Sequence, residues 1–136
     1  MSPVEVTPWP ARPTESLFCD TDPLLTVIWH RTLVGPAPSW LEQLADSRRY
    51  DLYLLLDIDV PWVNDGQRYF PDAAPRRAIF EQCEQELKRR NRPYVKVTGN
   101  WEERPKSAIG AIDRLLAPIA KQGQEPHVNN SPIQAN

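Results

Sequence analysis

The sequence predicts an α/β fold in which a parallel sheet carries helices on both faces, and three observations support it. Apolar, strand-like runs and helical periods follow one another in the order strand, helix, helix, strand, loop, helix, strand, helix. The run Leu52 to Leu56 is continuously apolar rather than alternating, as in a strand buried on both faces of a parallel sheet. Each strand-like run ends in polar residues: Asp20-Thr21-Asp22, Asp57-Ile58-Asp59 and Thr98-Gly99-Asn100. Open α/β sheets bind their ligands at the carboxyl ends of strands.

Each element has a local reason. Leu17-Phe18-Cys19 reads as a short buried strand delivering Asp20 and Asp22 at its carboxyl end. Pro23 opens a helix at its favoured first-turn position, with Asp22 or Thr21 as N-cap, and Leu24, Leu25, Ile28 and Trp29 keep helical spacing until Gly35. Ser39 caps a second short helix with Trp40, Leu41, Leu44 and Ala45 as its inner face, ending near Ser47. After Asp59 comes a long loop punctuated by proline and glycine, and a loop of that length in a small domain is functional or mobile. A helix spans Pro75 to Arg90, with Ile79, Phe80, Cys83 and Leu87 inward and cations at its carboxyl end. Tyr94-Val95-Lys96-Val97 alternates as a strand. Asn100 and Glu103 form a capping box, and the helix beyond sets Ala108, Ile109, Ile112, Leu115, Leu116 and Ile119 on one face. Pro105 falls in the first turns of that helix, so the helix is expected to start late or bend there.

Composition narrows the function. The chain has 136 residues, 16 Lys plus Arg against 18 Asp plus Glu, and a net charge of -2. That balance lacks the basic footprint that binding to nucleic acid requires. No apolar run approaches the ~20 residues of a membrane helix, and the first residues lack the features of a signal peptide, so a cytoplasmic protein is expected. Fifteen prolines against five glycines imply interrupted elements and ragged ends. Residues 1–16 read as a disordered proline-rich tail, 17–121 as one partial domain, and 122–136 as a second disordered tail. Cys19 and Cys83, without metal-ligand spacing, are expected to be reduced core residues, and Trp29 and Trp40 to be packing residues. His30 and His127 lack partners at catalytic spacing.

Two acidic clusters at one sheet edge suggest a divalent cation, most plausibly magnesium, which keeps several waters and takes one or two carboxylates. An apolar strand followed by Asp-x-Asp fits two reaction classes. One is a haloacid-dehalogenase-like phosphatase with an aspartate nucleophile; the other is a P-loop kinase with a magnesium-binding aspartate. Pro23-Leu24 directly after the pair, and Gly99-Asn100 in place of a late acidic pair, make the phosphatase the minor alternative.

The stretches LFCDTDPLLTVIW, YDLYLLLDIDVPWVNDGQRYF and PYVKVTGNWEER, in that order, resemble the ribosylnicotinamide kinase domain of NadR-type proteins, part of the P-loop kinase group. The specific element is D-[IV]-D-V-P-W-x-x-D-G-x-R. The resemblance covers residues 16 to 120 and implies a three-layer α/β domain and transfer of a phosphoryl group from magnesium-ATP to nicotinamide riboside. Asp20 matches a Walker B-like acid that holds magnesium. The resemblance further implies that Asp22, two residues on, orients or deprotonates the ribose 5′-hydroxyl, that Trp62 stacks on the nicotinamide ring, that Asp65 holds ribose hydroxyls or orients Arg68, that Arg68 is a lid arginine, and that Asn100 and Trp101 border the adenine. Trp62, Arg68, Asp22 and Asn100 also have plain readings, as a plug over the core, a solvated charge and two helix caps respectively. Arg76 and Arg77, on the next helix, have two readings, as assistants to Arg68 and as a solvated helix start, of which the second is preferred for both.

The resemblance departs in two respects: Pro105 falls in the first turns of the last helix, and, the larger departure, the 136 residues contain no G-x-x-x-x-G-K-[ST] loop. The chain is therefore expected to be such a kinase without its first strand and phosphate loop, inactive alone. The alternatives are a non-catalytic nucleoside-binding remnant and the partner of a separate amino-terminal piece. An uncovered sheet edge would then favour self-association.

Overall fold

The structure, a computed structural model, describes residues 16–61, 63, 66 and 72–122, with the backbone alone described over 118–122. Helix α1 spans Pro23–Leu33, α2 Ser39–Ser47, strand β1 Tyr53–Leu56, α3 Ala73–Arg89, strand β2 Tyr94–Val97 and α4 Glu103–Gln122. The strands pair in parallel, Tyr53 opposite Tyr94 and Leu56 opposite Val97, with α3 as the crossover between them. The α/β class is as expected, although the sheet among the described residues has two strands.

Helix α1 starts where the Asp22-Pro23 signal puts it. Asp22 Oδ1 accepts the Leu25 backbone N–H at 2.9 Å, and proline at the first position gives up no bond of the helical ladder. Helix α2 starts at Ser39 itself, with Pro38 in the capping position and no side-chain cap.

Side-chain alternation divides the sheet. Tyr53, Leu55 and Tyr94 pack against a core of Leu24 and Val27 from α1, Leu41 and Ala45 from α2, and Leu87 from α3. Val97 has the opposite parity to Tyr94, and α4 packs against β2, where Val97 and Ala111 are both buried. Burying a Leu, Val or Ile side chain stabilises by ~1.5–3 kcal/mol, so these few residues are what hold the helices to the sheet.

Charge completes the packing of α1, α2 and α3. The Arg90 side chain at the end of α3 is 3% exposed and donates to Glu42 at 2.8 Å, to Glu86 at 3.0 Å and to Asp46. Arg31 of α1 bridges Glu42 at 2.5 Å and Glu86 at 2.9 Å. Arg92, buried in the turn before β2, donates to the carbonyls of Ala45 and Asp46 at the end of α2, where the helix dipole favours a cation.

Several expectations are corrected. Leu17-Phe18-Cys19 is not a strand: Leu17 is 57% and Phe18 69% exposed, Cys19 is exposed, and no described backbone pairs with them. Three apolar residues cannot make a strand without a neighbour to accept their hydrogen bonds. Thr21 adopts a left-handed φ of +67°, so Asp20 and Asp22 do not continue an extended strand. β1 is half-covered rather than buried on both faces, and its end residue Leu56 is 59% exposed, because β2 is its one strand partner among the described residues. Trp40 is 65% exposed and does not pack in the core. The expected inner face of α4 is only partly covered, with Ile109 at 57% and Leu115 at 37% exposure, while Ala111 is buried. Helix α4 begins at Glu103, and Pro105, its third residue, lies in the first turn, where no ladder bond is lost.

Candidate functional site

The parallel pair presents its carboxyl ends together. Asp57 extends the ladder by one bond, its N–H donating to the Val97 carbonyl at 3.0 Å. Beyond it, the Asp57-Ile58-Asp59 and Thr98-Gly99-Asn100 segments are joined by a closed set of polar contacts. Asp59 Oδ2 accepts the Gly99 N–H at 2.6 Å and its Oδ1 accepts Arg104 Nη1 at 2.5 Å. Arg104 Nη2 donates to the Asp57 carbonyl at 2.7 Å. Asp57 Oδ1 accepts the Ile58 N–H at 2.7 Å and Arg77 Nη1 at 3.1 Å. The Gly99 N–H, with Arg104 beside it, holds the Asp59 carboxyl below the usual range, so Asp59 stays a carboxylate through neutral pH.

Asn100 is a working cap. Its Oδ1 accepts the backbone N–H groups of Glu102 and Glu103, each at 2.9 Å, and the Glu103 carboxylate accepts the Asn100 N–H at 2.9 Å. Trp101 next to it is 66% exposed, an indole face open at the same rim.

Asp22 lies elsewhere. Besides capping α1, it accepts the Tyr53 hydroxyl through Oδ2 at 3.1 Å, and Tyr53 opens β1 whereas Asp57 follows its end. Among the described residues no hydrogen bond or ion pair joins the Asp20 and Asp22 segment to the Asp57 and Asp59 segment. Burial, with Asp22 nearby, pushes the Tyr53 phenol upward, and burial likewise pushes Tyr50 up to about 12 and Cys83 up to about 11. Tyr50 and Tyr53 meet edge to face at 5.2 Å. Burial thus disfavours the thiolate of Cys83 at neutral pH.

Asp20 is exposed, with no bond to its carboxylate from the described residues. No group of three or more His, Cys, Asp or Glu gathers for a metal among the described residues. Trp62, Asp65 and Arg68 lie outside the described residues.

Two arginines stand out that the sequence reading did not single out for a role at this edge. Arg77 is solvent-exposed, as the helix-start reading expects, yet it also pairs with Asp57 and lies over the Phe80 ring at 5.3 Å. Arg104 has a side chain only 9% exposed. Its signal was available, because a cation in the first turn of a helix opposes the macrodipole and calls for a specific carboxylate.

The comparisons agree with this architecture. A family described as an AAA domain matches residues 11–104, well over half of the chain. The trifunctional NAD biosynthesis/regulator protein NadR of Salmonella typhimurium is 32% identical over 80 residues, and that of Escherichia coli 30% identical over 80 residues. Each alignment covers 59% of this chain and 20% of the relative, so the chain spans about a fifth of the length of the curated relatives it matches. No solved structure matches. The chain belongs to the AAA domain family, and part of it is similar to NadR proteins.

Proposed function

We propose that this domain belongs to an ATP-dependent ribosylnicotinamide kinase that phosphorylates the 5′-hydroxyl of nicotinamide riboside in the cytoplasm, and that the 136-residue chain by itself does not turn over. The observation that carries the reading is the 80-residue similarity to two NadR proteins. Asp20 would hold magnesium, which would neutralise phosphate charge during transfer. Asp22 would orient the ribose hydroxyl through Oδ2, exchanging its bond to Tyr53 for one to substrate. Trp62 would stack on the cationic nicotinamide ring, Asp65 would bind ribose hydroxyls, and Arg68 would close over the phosphates and exclude water. Asn100 and Trp101 would border the adenine. The complete fold in this reading is a three-layer sheet of the P-loop kinase type.

Phosphoryl transfer relies on positioning and electrostatics, and in this class the phosphate loop supplies most of both. An ADP-release assay with magnesium-ATP and nicotinamide riboside should therefore read background with this chain. Magnesium-dependent turnover abolished by Asp20→Ala would overturn the inactive part of the proposal.

A second reading rests on the edge of β1 that pairs with no strand among the described residues, with Leu56 exposed beside it. The domain would then be a nucleoside-binding module that self-associates or accepts a separate amino-terminal piece along that edge. Sedimentation over a hundredfold concentration range should show association, and a monomer throughout would remove self-association.

A further inference from the structure

We infer that Asp59 and Arg104 are positioning residues that fix the Gly99-Asn100-Trp101 turn for a purine nucleotide. The inference rests on the proposed reading of that turn as the adenine border. Helix α4 has a complete start without this pair, since Asn100 and Glu103 already satisfy its first amides. The Asp59 to Arg104 pair is nonetheless built there at a cost. Arg104 takes a guanidinium out of water in the first turn of a helix, where the dipole opposes it, and among the described residues the Asp59 carboxylate and the Asp57 carbonyl compensate. What the pair adds is geometric. Asp59 holds the Gly99 amide with one oxygen and the α4 guanidinium with the other, so the turn between Gly99 and Arg104 is fixed at both ends to the segment leaving β1.

Gly99 is suited to this clamp. Its φ is +98°, and a Cβ there would stand 2.4 Å from the Glu103 carboxylate. The turn therefore has one tight path, and along it the exposed Trp101 indole stands at the rim on a fixed backbone. An aromatic face held this way can stack on a flat base without first paying the entropy of ordering the turn.

The test uses the 136-residue chain, wild type and with Asp59→Asn, Arg104→Gln or Arg104→Lys, and follows backbone amides by NMR and magnesium-ATP binding by titration. In Asp59→Asn and Arg104→Gln, exchange at Gly99, Asn100 and Trp101 should rise at least tenfold while α1 and α2 keep their protection. The same two variants should bind magnesium-ATP at least tenfold more weakly. Arg104→Lys, which keeps the charge facing Asp59 but not the paired donors, should recover part of the loss. Unchanged affinity in the variants of a wild type that binds overturns the positioning role. Loss of protection spread evenly over all helices also overturns it, since the pair would then be a staple of the whole fold. A wild-type chain that shows no magnesium-ATP binding overturns the adenine-border reading instead, and the exchange data would still show whether the pair orders the turn.

Discussion

Replacing Arg90 by methionine removes the cation on which three acidic side chains of two helices converge. Breaking a buried ion pair by removing one partner costs ~3–5 kcal/mol. Here the cost is lower, because Asp46 is 65% exposed and is hydrated once released, while Glu42 keeps Arg31, and Glu86 keeps Arg31 and Arg89. About 2–3 kcal/mol remains, which corresponds to a fall in Tm of about 8–20 °C for a domain of this size. The penalty also depends on pH. Burial alone would raise the Glu86 carboxyl, but the bonds from Arg89, Arg90 and Arg31 outweigh it and hold the group down at about 2. The same balance lowers Glu42, through Arg31 and Arg90. A depressed carboxyl stabilises fully above the ordinary carboxylate range, and its contribution is lost as pH falls towards the folded-state value. The gap between wild type and Arg90→Met should therefore be largest near pH 7 and shrink steadily from about pH 4.5 towards pH 2. Urea unfolding followed by circular dichroism at pH 7, 5 and 3 measures it. A gap below about 0.5 kcal/mol at pH 7, or one that is the same at all three values, would refute the reasoning.

Two further outcomes follow from local geometry. Asp22→Ala removes the cap of α1 and the acceptor of the Tyr53 hydroxyl, so it should lower stability by about 1–2 kcal/mol in the same assay, while Asp22→Asn, which can still cap, should lose less than half of that. Gly99→Ala puts a side chain at a φ of +98° and against Glu103, so it should cost about 1–3 kcal/mol in thermal unfolding; a loss within 0.3 kcal/mol of zero would mean the turn relaxes freely.

Elements whose cause is local were legible in the sequence. β2 runs from Tyr94 to Val97, as the alternation indicates, and α1 begins at Pro23 because Asp22 and Pro23 specify a helix start whatever surrounds them. The asparagine cap and its glutamate partner at α4 could likewise be read from their spacing. Features that depend on a distant partner could not. Leu17-Phe18-Cys19 has strand-like residues, but a strand exists only with a neighbour, and nothing in three residues names one. The apolar run of β1 indicates how much it could bury, not how much is present to cover it, and so Leu56 is exposed. At the site, the Asp57 and Asp59 segment was found from its place after a strand. Its partners Arg77 and Arg104 come from 20 and 45 residues further along, and neither pairing was legible. Asp22 shows both: its capping of α1 was legible beside Pro23, whereas its bond to the Tyr53 hydroxyl, 31 residues on, was not.

The most direct test of the central claim, that this is a NadR-like kinase domain with a nucleoside site, is a thermal melt of the purified chain alone, with magnesium-ATP and with nicotinamide riboside. A ligand that binds the folded state must raise the midpoint. The account predicts a cooperative transition moved upward by the riboside and unaffected by an unrelated nucleoside at the same concentration. A transition indifferent to the riboside and to magnesium-ATP at millimolar concentrations would contradict it.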